Sequence, residues 1–535
     1  MSTYRAVRNW LREADGGASV ALVVGMLVTF VGTFLFRWLT ISAFDNDHFD
    51  HVVRAHQLLL GELPGRDFID PGMPLTYLIS AAVHSVVGMP FLAEALTFVP
   101  ALALAAALNV RLATLASGSV PLALGAVLLQ VAMYPRSYGY PKILVYAVAM
   151  TVGWWAIERL TTRRLAALAA ATAFAYYLRH DHGVYVATGS LALLVVHLRA
   201  QGIRHLTRTL AQYGLLVFAF VLPHLVYVQW SEGIGHYLRV ARDFSVEEAR
   251  QMRLGLPAFR IDTEQRLWGP EPVQFNIRWT PGLGELERRE IEDRHGLRAV
   301  WNDGVATWRY EISDVSAENL ATLRRDVHVE DTHDFELLSR GNRWRAALRG
   351  WLRPGPGMRP TENAAPLLFW FCWLAPVAGV ALLARARTPV PGGLADERAA
   401  MAMVVALALC VNIGFLRLPL VARLPDVTTP HVVLGAWLLA AAWRWPASRL
   451  SRVAGRAALA AGAGVILFAV VFAFEPGEKL EQSRLLAGPG ATAERWRQVT
   501  TSLQRTWRVP FPTARPKRWY RSSATCAGAP RRTTG

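Results

Sequence analysis

An acidic, histidine-containing segment, FDNDHFDH (residues 44–51), follows directly after a long apolar run. A carboxylate here, such as that of Asp47, could accept a proton from a hydroxyl group as a general base. The Asp-x-Asp spacing of Asp45 and Asp47, with His48 beside it, also suits a divalent metal ion. Short strings of this kind arise by chance, and the same side chains also cap and solubilise ordinary loops. The segment alone therefore leaves three interpretations open.

Three other segments carry ionisable side chains beside apolar stretches: YPRSYGYPK (residues 134–142), LRHDHG (178–183) and RLPLVARLPDVTTPH (417–431). Ionisable groups are costly next to lipid, which makes them candidates for function. Cations suit a phosphate group, and we predict this role for Lys142, Arg179, Arg417 and Arg423. Asp181 and His182 are candidates for a supporting or metal-binding role. The alternatives are snorkelling interfacial cations for the first segment and a helix-locking ion pair for the second.

Apolar helices must position these residues. The chain has 535 residues, of which 53% are hydrophobic and 18% are charged, and the apolar residues gather in long runs. A helix of about 20 residues crosses a bilayer and satisfies its own backbone hydrogen bonds there. We therefore predict an all-α polytopic membrane protein with about 11 transmembrane helices. They are predicted at residues 18–39, 91–112, 120–133, 143–157, 165–178, 184–198, 213–230, 366–383, 399–416, 432–443 and 457–474.

Arginine residues between the apolar runs indicate the orientation. Arg5, Arg8 and Arg12 predict a cytoplasmic N-terminus. Residues 74–87 are predicted to form a short helix on the outer surface, because the later arginine-rich loops then all face the cytoplasm. With this alternation, the four charged segments all emerge on the outer face of the cell (inner or plasma) membrane. A functional site at the outer membrane–water interface follows from that convergence.

The chain divides into four predicted regions. Residues 1–230 form an N-terminal membrane module with its first outer loop at 40–90, and residues 366–474 form the C-terminal membrane helices. Residues 231–365 are predicted to be a small α/β insert on the extracytoplasmic side, with strands at PVQFNIRW and ATWRYEIS and helices at PGLGELERREIEDRH and SAENLATLRRD. Residues 475–535 form an extracytoplasmic tail. Its last 22 residues are basic and lack periodicity, and we hypothesise an out-of-frame reading that truncates an outer C-terminal domain.

Composition and motifs narrow the function. The formal net charge is +17, but arginine in short loops usually orients a membrane protein, so no nucleic-acid partner is expected. The three cysteines form no disulfide or metal pattern. The sequence has no phosphate loop, HExxH, GxSxG or nucleotide fingerprint, and nothing in it indicates the use of ATP.

The first outer loop resembles that of the GT-C superfamily of polytopic glycosyltransferases, which includes protein O-mannosyltransferases and the aminoarabinose transferase of lipid A. That loop typically has Asp-Glu, a helix ending in a leucine pair, Gly-Glu, Pro-Tyr-Arg-Asp-Phe and Asp-Pro. LLLGELPGRDFIDPGMPLTYL (residues 58–78) is similar, and counting back places Asp47 at the family's acidic position. His48 stands where the family has Glu, and Gly65 where it has Tyr.

The resemblance implies transfer of a sugar from a polyprenyl-phosphate donor to a lipid, glycan or protein acceptor on the outer face. The reaction would be inverting, with Asp47 as base, cations on the departing phosphate, and Asp45 or Asp181 in support. It implies no certain cofactor, and a divalent cation stays an alternative. A glycolipid transporter or flippase and an inactive scaffold are the rival readings. The sequence shows no internal repeat of the helix pattern, which favours an enzyme over a transporter.

Overall fold

The computed structural model describes residues 16–42, 44, 46–251, 273–280, 282–302, 307–312, 317–333, 360–385, 395–416, 421–444 and 449–505. Several residues used in the predictions lie outside this part of the chain: Arg5, Arg8, Arg12, Asp45, Arg417 and the basic tail. The described residues are mainly helical. The helices of the N-terminal half are α1 Gly16–Leu39, α2 Asn46–Leu59, α3 Pro74–Val87, α4 Pro90–Ser117, α5 Val120–Ala132, α6 Tyr140–Glu158, α7 Thr162–Leu178, α8 His180–Leu198, α9 Ile203–Ser231 and α10 Ile234–Gln251.

A mixed segment and a second group of helices follow. The elements of the mixed segment are β1 Val273–Trp279, α11 Glu285–His295, β2 Leu297–Asn302, β3 Thr307–Ile312, α12 Ala317–Arg325 and β4 Val329–His333. The later helices are α13 Pro360–Arg385, α14 Ala395–Leu416, α15 Thr428–Arg444, α16 Arg449–Phe474, α17 Pro476–Ser483 and α18 Pro489–Arg505. Short 3₁₀ helices lie at Ser137–Gly139, Arg199–Gln201, Val421–Val427 and Leu485–Ala487.

Eight helices of the described chain are long and apolar enough to cross a membrane, which supports the prediction of a mostly α-helical, multi-pass membrane protein. The spans are Val20–Leu39, Pro90–Ser117, Ser137–Glu158, His180–Gln201, Ile203–Ser231, Ala364–Ala384, Glu397–Gly414 and Gly455–Phe474. The three other predicted spans are also helical, but they are shorter: α5 has 13 residues, and α7 and α15 have 17 each.

The short helix α3 begins and ends where its sequence dictates. Pro74 occupies the first helical position, where its missing N–H leaves no hydrogen bond unmade. Gly88 follows the last helical residue with a φ of 69°, the left-handed conformation that commonly closes a helix, and its N–H donates to the carbonyl of His84. These local signals end α3 after 14 residues, so the chain turns directly into α4.

Hydrogen bonds between helix ends show which of them lie at the same end of the bundle. At one end, the Tyr134 hydroxyl after α5 donates to the Thr40 hydroxyl after α1 at 2.8 Å. At the same end, the Tyr227 hydroxyl near the end of α9 donates to the carbonyl of Pro64 in the first loop. At the opposite end, Arg444, the last residue of α15, donates to the carbonyl of Ser117, the last residue of α4. Successive long helices therefore alternate in direction.

Small residues allow the central helices to pack closely. The main buried core is formed mostly by α6, α7, α8 and α13–α16, with smaller contributions from α4 and α9, and a quarter of its buried residues are alanine. A Cβ atom on Gly189 of α8 would lie 2.9 Å from Leu407 Cγ of α14, so only glycine permits this approach. Small residues at helix crossings let two backbones approach closely. Such packing matters in a membrane, because lipid provides no hydrophobic driving force for helix association.

The mixed segment contains a four-stranded antiparallel sheet in the order β2-β3-β1-β4. Strands β1 and β3 lie at PVQFNIRW and ATWRYEIS, and α11 and α12 lie at the two sequences read as helices. Ile277, Tyr310 and Leu323 are fully buried and form a small core of their own between sheet and helices. This core holds the sheet and its two helices together.

Candidate functional site

Asp47 lies in the first turn of α2 and is exposed. A carboxylate in a first turn is stabilised by the partial positive charge of the helix N-terminus. Its charge also acts on the Arg136 guanidinium in the segment that follows α5. The residue after Asp47, His48, has its imidazole 6.1 Å from the ring of Tyr138, between ring centroids. The first outer loop and the segment of residues 134–142 therefore lie side by side.

Two cations of residues 134–142 bind one carboxylate from the distant segment 417–431. Lys142 Nζ donates to Asp426 Oδ2 at 2.9 Å, and Arg136 Nη2 donates to the same oxygen. Asp426 is 5% exposed, and it lies on the 3₁₀ helix that precedes α15. The ion pairs join parts of the chain that are nearly 300 positions apart, because that 3₁₀ helix and the start of α6 lie at the same end of the bundle.

The pKa values of Arg136 and Asp426 move as expected for a buried ion pair. Burial alone would raise the pKa of the Asp426 carboxyl, but the charges of Lys142 and Arg136 and their hydrogen bonds outweigh it and hold it below the ordinary value. Burial would lower the pKa of Arg136, but the Asp426 carboxylate more than compensates and raises it. Both groups therefore stay charged in the folded protein.

The LRHDHG segment forms the junction between α7 and α8. Arg179 Nε lies 3.0 Å from Asp181 Oδ1, and both side chains are 39% exposed. His182 is buried and pairs through Nδ1 with the Tyr146 hydroxyl at 2.8 Å. The charges of Arg179 and Asp181 both act on the Lys142 ammonium of α6. The junction therefore lies beside the Asp426 ion pairs.

We define the ion-pair cluster as Arg136, Lys142, Arg179, Asp181 and Asp426. It contains one more cation than carboxylates. A surplus of positive charge at partly exposed helix ends suits a phosphate group, because charge-assisted hydrogen bonds to phosphate are strong. Asp47 lies in the first turn of the neighbouring helix α2.

Hydrogen bonds at a tight turn connect the first loop to the LRHDHG junction. The N–H of His180 donates to the carbonyl of Gly72 at 3.1 Å, and the Thr76 hydroxyl donates to the carbonyl of Leu178 at 2.9 Å. Gly72 has a φ of 94°, and a Cβ atom there would lie 2.7 Å from His180 Nδ1. Both the backbone conformation and the lack of space require glycine at this position. Asp70 closes the turn by accepting from the N–H groups of Gly72 and Met73.

A second group of ionisable residues is buried on the inner side of the first loop. We define the histidine–glutamate cluster as His48, His51, His84 and Glu94, which come from α2, α3 and the start of α4. All four side chains are nearly inaccessible, with exposures of 0%, 3%, 6% and 1% in that order. His48 Nδ1 lies 3.0 Å from Glu94 Oε2, and the Ser80 hydroxyl donates to Oε1.

The structure brings several predicted site residues together and separates others. Lys142, Arg179 and Asp181 share the ion-pair cluster, and Asp47 lies next to it. His48 and His182 have different buried partners, Glu94 and Tyr146. Arg423 lies on the 3₁₀ helix of Asp426 and is partly buried. Asp45 and Arg417 lie outside the described residues.

Sequence reasoning missed Glu94 and His84 and gave no role to His51. Glu94 is the single acid within the apolar stretch PFLAEALTFVPALAL, and an ionisable residue in such a stretch is by default a functional candidate. His51 and His48 are three positions apart on α2 and therefore share one face. These two signals are visible in the sequence, but their meeting at one point is not.

The arrangement offers a carboxylate for proton transfer and cations for an anionic leaving group at the same end of the helix bundle. It also offers a buried set of imidazoles around one carboxylate. Comparison of the chain with protein-family models, with curated proteins and with solved structures found no match.

Proposed function

We propose that this protein is a membrane glycosyltransferase that moves a sugar from a polyprenyl-phosphate donor to a lipid, glycan or protein acceptor. Asp47 accepts the proton of the acceptor hydroxyl as its oxygen attacks the anomeric carbon, with inversion. The ion-pair cluster holds the departing lipid phosphate and stabilises its developing negative charge. The proton thus passes to Asp47, the sugar passes to the acceptor oxygen as its bond to the lipid phosphate breaks, and the cluster holds the released phosphate.

One observation carries the proposal: three segments far apart in the chain place complementary charges next to Asp47. The charge of Asp47 acts on Arg136, which pairs with Asp426, and Lys142 interacts electrostatically with Arg179 and Asp181. The gathering of three cations and the partial exposure of Arg179 support a role in binding an anion.

The topology of the proposed enzyme follows from the same contacts. The helix ends that carry the charged segments contact one another, and the opposite ends of α4 and α15 contact each other. This alternation supports about 11 crossings, including the shorter α5, α7 and α15, with α3 on the outer surface. The positive-inside bias then favours an orientation in the cell membrane with the N-terminus on the cytoplasmic side and the α/β insert on the extracytoplasmic side.

The experiment is a donor panel. Membranes carrying the wild type or Asp47→Asn are incubated with labelled polyprenyl-phosphate sugars, and both free polyprenyl phosphate and labelled product are measured. We expect release by the wild type and a fall of about 100-fold or more in Asp47→Asn, since a positioned base typically contributes 10²–10⁴-fold. Asp243→Asn, at an exposed carboxylate of α10, is the matched control and should retain the wild-type rate.

The outcomes separate the parts of the proposal. Equal rates for wild type and Asp47→Asn would exclude Asp47 as the base. No release from any donor, with labelled glycolipid instead crossing proteoliposomes intact, would replace the transferase with a transporter.

A further inference from the structure

The histidine–glutamate cluster lies outside the chemistry proposed above. The cluster packs against apolar rings: the imidazole of His48, which pairs with Glu94, is 5.0 Å from the ring of Phe44 and 5.3 Å from that of Phe98, between centroids. A buried carboxylate without a compensating positive charge is very costly. Among the described residues, the ion-pair partners of Glu94 are histidines, which are neutral when unprotonated.

Distances in the cluster match those between ligands on one metal ion. Two ligands bound to zinc at about 2.0–2.1 Å in a tetrahedron lie about 3.3 Å apart. The nitrogen atoms of His48 and His51 lie 3.0 Å and 3.5 Å from the same oxygen, Glu94 Oε2. The ligand atoms of all three residues lie within 4.8 Å of one another. One ion could therefore bind all three with small shifts of the side chains.

The hydrogen bonds of the cluster are incomplete without such an ion. His51 Nδ1 is buried and makes no hydrogen bond, although it points at the carboxylate. A buried polar atom without a partner is rare in folded proteins and requires an explanation. An imidazole nitrogen with a free lone pair beside a buried carboxylate is the usual donor set for zinc.

The other carboxylate oxygen already has partners of the kind that support a metal ligand. The Ser80 hydroxyl donates to Glu94 Oε1, and His84 Nε2 lies 3.5 Å from the same oxygen. Ligating carboxylates are commonly held in this way by a second layer of hydrogen bonds. Oε1 is thus oriented by α3, and Oε2 is left to face His48 and His51.

We propose that His48, His51 and Glu94 bind a divalent transition-metal ion of the zinc class, with His84 and Ser80 orienting the carboxylate. The ion joins α2 to α4 and thereby fixes the helix that begins with Asn46 and Asp47. The site is independent of the proposed transferase activity, because neither its ligands nor its test involves a sugar donor.

The test measures metal binding by the full-length protein in detergent. The protein is stripped with a chelator, titrated with zinc, and analysed for bound metal, affinity and thermal stability. We expect one equivalent of zinc bound tightly, with a rise in Tm. Glu94→Gln and His51→Gln should each weaken affinity at least about 100-fold, whereas His84→Gln should weaken it about 10-fold, as for a residue behind a ligand.

His295→Gln is the matched control, because His295 is a buried histidine bonded to Asn319 in the small α/β core, and it should leave zinc binding unchanged. X-ray absorption of the zinc-bound wild type covers the case in which a variant fails to fold, and we expect two imidazoles and oxygen around the ion. The proposal is overturned if the wild type binds no zinc, if the absorption shows sulfur or fewer imidazoles, or if Glu94→Gln binds as tightly as the wild type.

Discussion

The ion-pair cluster and the histidine–glutamate cluster place carboxylates beside basic groups in opposite ways. Asp426 faces a guanidinium and an ammonium, of which the guanidinium cannot lose its proton in a protein. Glu94 faces imidazoles, which can be neutral. The pair of Arg136 and Asp426 is therefore charged under all ordinary conditions. In the second arrangement the positive charge beside the carboxylate is removable, because imidazoles can be neutral, and a metal ion can take its place.

Exposure differs in the same direction. The side chains of Arg136 and Lys142 are each 20% exposed, whereas the members of the histidine–glutamate cluster are 6% exposed at most. The partly exposed cations of the first cluster are open to solvent. The second is closed by α2, α3 and α4. This difference is consistent with the binding role proposed for the first cluster and the structural role proposed for the second, and four predictions test it.

The largest effect is expected from Asp426→Asn. The change removes the carboxylate that is bonded to both Arg136 and Lys142, and breaking a buried ion pair costs about 3–5 kcal/mol. Thermal unfolding of the purified protein in detergent should show a large fall in Tm. Lys142→Met in the same chain should restore part of the stability by removing one of the two cations.

The exposed pair Glu285–Arg289 of α11 provides the control, since both side chains are 66% exposed. Glu285→Gln should change stability by less than about 1 kcal/mol. A similar small effect for Asp426→Asn would contradict the interpretation of the cluster as a buried ion pair.

Glu94→Gln in metal-free protein should cost less, about 1–3 kcal/mol. The amide keeps the shape and one acceptor, and the three imidazoles can all become neutral once the carboxylate charge is gone. The same unfolding measurement, made after chelation, compares the two variants directly. If Glu94→Gln destabilises the protein more than Asp426→Asn does, the contrast between permanent and removable charge is wrong.

Gly72→Ala tests whether the loop that bears α2 is held by the LRHDHG junction. A methyl group there meets His180 at 2.7 Å and also occupies a φ of 94°. Gly61 of the same loop has a φ of 82° and open space around it, so Gly61→Ala measures the backbone strain alone. We expect Gly72→Ala to cost about 1 kcal/mol more than Gly61→Ala. Equal Tm values for the two variants would show that the loop can move away from His180 at little energetic cost.

The smallest effect is the pH dependence of the Asp426 contribution. Because its folded pKa lies below the ordinary value, the stabilisation is complete above that value and is lost as the pH falls below about 4. The Tm difference between wild type and Asp426→Asn should stay constant from pH 7 to pH 5 and narrow at lower pH. A difference that instead narrowed on raising the pH from 5 to 7 would have the wrong sign for a carboxylate of lowered pKa.

Much of the helical architecture follows from local sequence. A run such as residues 18–39 is apolar over a length that crosses a bilayer, and its helix ends at Leu39, as predicted. The bounds of α3 also agree with the prediction, because Pro74 and Gly88 act on their own neighbours. Helices α5, α7 and α15 also lie where spans are predicted, but they have 13, 17 and 17 residues, so their membrane crossing stays a prediction.

The sequence by itself determined which residues carry charge beside apolar stretches, because the cost of burying charge makes them conspicuous: Asp47, Lys142 and Arg179. Glu94 carries the same signal, although sequence reasoning missed it. Only the tertiary structure decided their partners. Lys142 meets Asp426 across 284 positions, and Glu94 collects histidines from two other helices. Such pairings depend on how helices pack side by side. No local propensity or spacing encodes that packing, and the chemistry of each carboxylate follows from it.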